Sequence, residues 1–351
     1  MRSVTAAGME SVKSKVSPWL ITPPDWFTGP EHLRELAGRV MGSDAEGIAL
    51  VPSVSYGIAI AAANVKVDRG QSIVLLSEQY PSNVYAWQKL AQQRGANIRT
   101  VPREPDGTWT EAVLRSIDDT TAVVAVPPSH WTDGSLIDLV KVSKKTRLVG
   151  AALVVDASQS LGAYPLNLAE IQPDFLVSVG YKWLLGPYSL GYLYVAPHWR
   201  FGSPIEHSWL SRTGAEDFAK LVNYQDAFKS GARRFDVGEY PNFVLVPMAI
   251  AALTQILNWG VENIQLSLSR LTNMVEREAV KLGCATLPAK DRVGHMIGIR
   301  IPGGIPEQLS NSLKKANIYV SIRGDSIRVA PHLYNDESHI ERFFGVLQKV
   351  L

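Results

Sequence analysis

Seven short apolar runs, set apart by turn residues and amphipathic stretches, limit what this chain can fold into. The runs are Ile48–Val51, Ser72–Leu76, Ile98–Val101, Thr121–Val126, Ala152–Val155, Phe175–Val179 and Gly191–Val195. Most are rich in β-branched residues, as suits strands buried on both faces. Between them Ser55–Val65, Ser82–Arg94 and Glu111–Ile117 read as amphipathic helices. Strand–helix alternation predicts an α/β fold: a mostly parallel seven-stranded sheet between helices. No helix of full length fits between Phe175 and Val195, so an antiparallel member is expected there.

The pattern changes near residue 245. Val246–Trp259 and Glu262–Lys281 read as long helices, followed by a strand (His295–Ile301), a helix (Pro306–Ala316), two short strands (Ile318–Ile322 and Ser326–Val329) and a last helix (Glu337–Val350). This predicts a large domain over 36–244 and a small α+β domain over 245–351, with 1–35 packing on the small one.

Composition removes several classes of function. Of 351 residues, 46% are apolar and 19% charged, which is a globular balance. The net charge of +2 gives no case for nucleic acid or an anionic membrane surface. The single cysteine, Cys284, allows no internal disulfide framework and no cysteine-rich metal site. No uncharged apolar run approaches the roughly 18 residues of a membrane span, and the start lacks an apolar signal core, so a cytoplasmic protein is expected.

Two strand ends carry the chemistry. Val154-Val155-Asp156-Ala157-Ser158-Gln159 ends an apolar run in an acid, and Val179-Gly180-Tyr181-Lys182-Trp183 follows the next run with an amine. A strand-end acid and a strand-end lysine are what an enzyme needs to hold pyridoxal 5'-phosphate: the lysine makes the Schiff base and the carboxylate keeps the pyridine nitrogen protonated. In open α/β sheets, ligands bind at the carboxyl edge. Each residue also has a plainer reading, Lys182 as a solvated surface lysine and Asp156 as a turn or cap residue. Val51-Pro52-Ser53-Val54-Ser55-Tyr56-Gly57 offers N–H groups and hydroxyls for a phosphate at a helix start, although Ser53 or Ser55 could be an ordinary N-cap. Tyr80, after the Ser72–Leu76 run, could flank the ring or simply pack at a strand–loop junction. Arg328, a lone charge in Ile327-Arg328-Val329, suits a substrate carboxylate, an ion pair or an outward-facing position.

Together, Asp156-Ala157-Ser158-Gln159, Tyr181-Lys182 with Gly186-Pro187, Arg234-Phe235-Asp236-Val237-Gly238 and Arg328 through Tyr334-Asn335 resemble the class V aminotransferase family of fold-type I pyridoxal phosphate enzymes. That family includes cysteine desulfurases and isopenicillin N epimerase-like proteins. The resemblance runs from about Ile48 to the C-terminus. It implies Lys182 as the cofactor lysine, Asp156 as the pyridinium partner, Gln159 as a hydrogen bond to the cofactor's phenolic oxygen and Tyr80 as the stacking residue. It further implies Val54, Ser55 and Tyr181 as phosphate contacts, Arg328 as the receiver of the substrate carboxylate, and a homodimer. The chain departs from relatives in three places. Asn317–Ile327 contains no cysteine where desulfurases carry their nucleophile. The chain opens with a helix-like segment where relatives have a strand with an Asn-Ala pair. Trp131 stands where many relatives place Asn, which directs attention to it as a substrate contact; the neighbouring His130 suits either a polar pocket or a satisfied structural position.

The resemblance implies an amino acid substrate and chemistry at its Cα, with transamination first and a lyase or epimerase second; a catalytically degenerate relative is a further alternative. A nicotinamide-binding dehydrogenase is excluded, because the Val51–Gly57 turn lacks the Gly-x-Gly-x-x-Gly pattern.

Overall fold

The computed structural model describes residues 1–104 and 108–351. It divides into two compact units, one of Met1–Pro128, Asp138–Gly162 and Leu166–Trp259, the other of Ser129–Ile137, Ala163–Pro165 and Gly260–Leu351.

The larger unit is built on a seven-stranded sheet: β1 (Ile48–Val51), β2 (Ser72–Leu76), β3 (Asn97–Val101), β4 (Thr121–Val126), β5 (Ala152–Asp156), β6 (Phe175–Val179) and β7 (Gly191–Val195), in spatial order β1-β7-β6-β5-β4-β2-β3. Strand β7 runs antiparallel to both neighbours, β1 and β6, while the other pairings are parallel. The antiparallel strand therefore falls where the sequence left no room for a crossover helix. Apart from β3, an edge strand, these strands are buried almost throughout, which explains their continuous apolar runs. Because β1, β2, β4, β5 and β6 point the same way, the loops that follow them leave from one edge of the sheet.

Helices α1 (Arg2–Lys13), α2 (Asp25–Met41), α3 (Val54–Asn64), α4 (Tyr85–Arg94), α5 (Trp109–Ser116), α6 (Leu139–Leu148), α7 (Leu168–Ile171) and α8 (Leu245–Trp259) complete this unit. Helix α6 has no counterpart among the expected amphipathic stretches. Its apolar face is narrow, and its sequence signal is the Asp138 N-cap, which accepts from Lys141 N at 3.0 Å. Helix α3 lies unusually near the sheet at Gly57, where a Cβ would stand 2.7 Å from Val177 Cγ2. That close approach sets the height of the α3 N-terminus over the sheet.

The division differs from the sequence expectation at 1–35 and at 245. Helices α1 and α2 pack on α8, and all three belong to the larger unit. Gly8 permits the α1 contact, since a Cβ there would meet Met248 Sδ at 2.8 Å. The boundary falls at Gly260, whose φ of 78° breaks what the periodicity presents as one continuing helical region.

The smaller unit contains α9 (Val261–Lys281), α10 (Leu309–Lys315) and α11 (Glu337–Leu347) with a four-stranded antiparallel sheet of β8 (Ala285–Thr286), β9 (Ile297–Arg300), β10 (Ser321–Arg323) and β11 (Ser326–Val329), in order β10-β11-β9-β8. Its core gathers Val275, Ile297, Ile299, Leu309, Ile327, Phe343 and Leu347, with Cys284 buried among them. Among the described residues no single helix is long and apolar enough to cross a membrane, and no cluster of His, Cys, Asp and Glu is placed to hold a metal.

Candidate active site

Asp156 is the last residue of β5 and pairs in register with Val177 of β6, so its carboxylate lies one strand away from the segment that carries Lys182. It is 7% exposed. Burial pushes its carboxyl above the ordinary value; hydrogen bonds from Ser158, and after them the Lys182 ammonium, pull the other way. The Ser158 N–H donates to Asp156 Oδ1 at 3.0 Å, while Ser158 Oγ accepts from Val179 N at 3.3 Å. Ser158 thus ties the end of β5 to the end of β6 and fixes the carboxylate relative to the lysine segment. It is a positioning residue that sequence reading alone passed by.

A tight loop delivers Lys182. Gly180 N donates to Leu190 O and Gly186 N to Gly180 O, each at 2.8 Å, and Lys182 O accepts from Leu185 N at 3.0 Å. Two close approaches demand glycine. A Cβ at Gly180 would stand 2.6 Å from Leu190 O, and one at Gly162 would stand 2.6 Å from Trp183 O. Lys182 Nζ sits 5.1 Å from the centre of the Tyr80 ring. Tyr181 stacks on Tyr188 with centroids 4.3 Å apart. Burial raises the Tyr181 phenol, and the fields of Tyr80, Tyr188 and Asp156 add to it, so these groups share one neighbourhood. Gln159 Oε1 accepts from Trp183 Nε1 at 3.3 Å, which orients the amide.

At the end of β1, Ser53 is the extended N-cap of α3. Its Oγ accepts from Tyr56 N at 3.2 Å and lies 2.9 Å from Ser55 Oγ. The N–H groups of Val54 and Ser55 begin the helix and have no acceptor within it, which gives the positive end of the helix dipole to an anion. Lower on the same helix, Tyr56 hydrogen-bonds Glu206, and burial followed by that contact raises its phenol.

The structure therefore brings Asp156, Gln159, Tyr80, Tyr181 and Lys182 together, with Val54 and Ser55 at the N-terminus of α3. Arg328 and Trp131 form a separate pair in the smaller unit, where Arg328 Nη1 donates to Trp131 O at 2.6 Å. His130, next to Trp131, has its Nδ1 2.7 Å from Thr132 Oγ1 and is fully buried, a structural position.

The Aminotransferase class-V family model matches residues 28–342. The chain belongs to the class-V aminotransferase family. It is 26% identical over 312 residues to the uncharacterized aminotransferase YcbU of Bacillus subtilis, covering 88% of this chain and 80% of that protein. It is 27% identical over 332 residues to the isopenicillin N epimerase of Streptomyces clavuligerus, covering 90% and 82%. Among solved structures, C-DES with glycine covalently linked to its PLP cofactor gives a TM-score of 0.88 at 19% identity, over 99% of this chain and 93% of the other. A cysteine desulfurase from Thermococcus onnurineus NA1 gives 0.83 at 21%, over 98% and 91%. At these identities the structural likeness establishes the fold, which is fold-type I.

Pyridoxal phosphate is the cofactor of this family, and the residues here fit it. A buried carboxylate whose pKa burial raises awaits a cation, an amine stands beside an aromatic face, and a capped helix start presents free N–H groups. Those are the three demands of the group's ring nitrogen, aldehyde and phosphate.

Proposed function

We propose that this protein is a pyridoxal-phosphate-dependent enzyme acting at Cα of an amino acid, and that its reaction is transamination. The observation that carries the reading is the Asp156 carboxylate and the Lys182 amine at neighbouring strand ends, coupled electrostatically and locked by Ser158.

Bound pyridoxal phosphate supplies an electron sink in conjugation with Cα. The chain's residues do the rest. Asp156 is the carboxylate that would keep the ring nitrogen protonated, and that positive charge would offset the cost of the carboxylate's burial. Val54 and Ser55 N–H would hold the phosphate, with the Ser53–Ser55 hydroxyl pair beside them. The Tyr80 ring flanks the lysine and excludes water from one side. Lys182 Nζ is the amine that would hold the cofactor's aldehyde, and the same amine would serve as the base that takes and returns the α-proton. Arg328 receives the substrate carboxylate.

Transamination is preferred over desulfuration because the Asn317–Ile327 segment carries no cysteine and Cys284 is enclosed in the smaller unit's core, where burial raises its thiol. Epimerisation or side-chain elimination by the same base is the second reading. The working assembly is a cytoplasmic homodimer, in which exposed Trp19, Leu20, Phe201 and Tyr224 are apolar side chains an interface would cover.

The test is spectroscopic. Purified protein with added cofactor should absorb in the visible, and borohydride should leave the cofactor's mass on the Lys182 peptide. Mixing with a panel of amino acids should bleach that band until a keto acid restores it. Ammonia release or inversion at Cα would replace transamination by the second reading. A Lys182→Ala variant that still retained cofactor through borohydride treatment and denaturation would overturn the site.

A further inference from the structure

The face of the smaller unit's sheet that carries Arg328 holds more positive charge than the fold uses. In the β10–β11 hairpin, Ser321 pairs with Arg328 and Arg323 with Ser326. Side chains alternate along a strand, so all four share one face, while Ile327 turns to the opposite face and the core. Arg323 and Arg328 are diagonal neighbours across the hairpin, within reach of each other for side chains this long. The next strand adds Arg300 opposite Ser326 and Gly298 opposite Arg328.

Two acids lie nearby, and Arg300 takes both. It bonds Asp133 Oδ2 at 3.0 Å and Asp325 at 3.1 and 3.2 Å. Asp133 also accepts from the backbone and hydroxyl of Ser135. Among the described residues neither Arg323 nor Arg328 has an acidic partner. Arg328 spends one N–H on Trp131 O, and Arg323 spends one on Ile322 O at 2.8 Å. Arg323 Nε and Ser326 Oγ are both shut off from solvent and find no hydrogen-bond partner. Burial, then the neighbouring Arg323 charge, lowers Arg328 to about 10. A guanidinium stays protonated throughout the working range, so that shift expresses a standing penalty, first on burying the Arg328 cation and second on its like-charged neighbour, that an anion would relieve.

Trp131 organises the pair. Its carbonyl holds Arg328, and its indole ring lies 5.6 Å from the Arg323 guanidinium carbon, a cation–π distance. Gly298 lets Asp133 and Ser326 pack closely against β9, since a Cβ there would come within 2.5 Å of both Asp133 Cβ and Ser326 Oγ.

We propose that Arg323, Arg328 and Ser326 form a two-anion site, which makes the substrate an amino acid with an acidic side chain: Arg328 takes the α-carboxylate, and Arg323 with the Ser326 hydroxyl takes the side-chain anion. The assignment of substrate rests on the proposed function above; the two-anion site itself does not. A neutral substrate would occupy one guanidinium and leave the other charge stranded.

The experiment has two readouts. The first is calorimetric binding of glutarate, a dicarboxylate, against butyrate, a monocarboxylate of similar length, to the purified protein with cofactor added. Glutarate should bind roughly 10–100-fold tighter, the range of a charge-assisted hydrogen bond. Arg323→Gln should abolish that preference. Arg323→Lys, which keeps the charge but loses the planar fork, should recover part of it. The second is the kcat/KM ratio of glutamate to glutamine, which should collapse in Arg323→Gln. Equal affinity for glutarate and butyrate, or a ratio untouched by Arg323→Gln, overturns the proposal. Protein that prefers glutarate but never binds cofactor supports the two-anion site and overturns the enzyme reading alone. Protein that transaminates glutamine as readily as glutamate does the reverse.

Discussion

Two buried carboxylates in the larger unit have opposite fates. Asp236 is 3% exposed and Asp156 is 7% exposed, and burial pushes both carboxyls up. Asp236 is closed off by the chain itself. Arg34, fully buried in α2, grips it through two nitrogens at 2.9 and 2.6 Å, and Leu50 N donates to the same carboxylate at 2.8 Å. The remaining Arg34 donors go to Ile48 O at 2.8 Å and to Glu31 at 3.1 Å. Burial works against the Arg34 cation, yet Asp236 and Glu31 hold its pKa above the ordinary value. Asp156 has no such fork; the hydroxyl and N–H of Ser158 and the field of Lys182 are what the chain offers it. A structural charge is neutralised from within, and a functional one is left open to the ligand that completes it. The arginines divide the same way, with Arg34 raised among acids and Arg328 lowered without them.

The contrast can be broken at Arg34 first. Arg34→Met should destabilise the protein by about 3–5 kcal/mol in denaturant titration, because it strands Asp236 in the interior. Adding Asp236→Leu should recover most of that loss, since an apolar pair of similar volume is often neutral. A double variant no better than the single one would show that Asp236 serves more than Arg34.

Asp156→Asn should behave in the opposite sense. Turnover should fall roughly 10²–10³-fold, as expected when one preorganised electrostatic partner is lost. The cofactor-free protein should be as stable as the parent or more so, because a raised native pKa means that the ionised form opposes folding. That opposition is absent at acid pH and grows as pH rises above the ordinary carboxyl value of 3.8, so the gain should be larger at neutral pH than at pH 4. A large loss of stability at pH 7 would place Asp156 with Asp236 as an architectural group.

The smallest effect is expected at Glu31, on the rim of the Arg34 network. Burial pushes this carboxyl up, but Arg233 and Arg34 outweigh it and hold it at about 2 against an ordinary 4.5. Its contribution to stability is therefore present in full above about pH 4.5 and is lost as pH falls from there through about 2. Glu31→Gln should flatten the acid limb of the stability profile in that window. An unchanged slope would remove Glu31 from the network.

Much of this molecule could be read along the chain because the relevant forces are local. Strand runs buried on both faces are apolar wherever they occur, so all seven strands of the large sheet stand in the sequence, down to the antiparallel one where no crossover fits. The strand-end positions of Asp156 and Lys182 follow from the same runs, and the family's motifs supplied their roles. What the chain order hid depends on residues distant in sequence. Helix α8 packs with α1 and α2 in the larger unit, and Gly8 lets α1 approach Met248, a contact between segments some 240 positions apart that no periodicity encodes. Ser158 reads as any serine until β5 and β6 lie side by side. Arg323 looks like a solvent-facing turn residue until the hairpin sets it diagonal to Arg328 and Arg300 draws off the acids. Local pattern determined which segments are strands and which residue types they present; tertiary packing decided which charges are answered by the chain and which wait for something else, because the cost of a buried charge depends on every group that surrounds it.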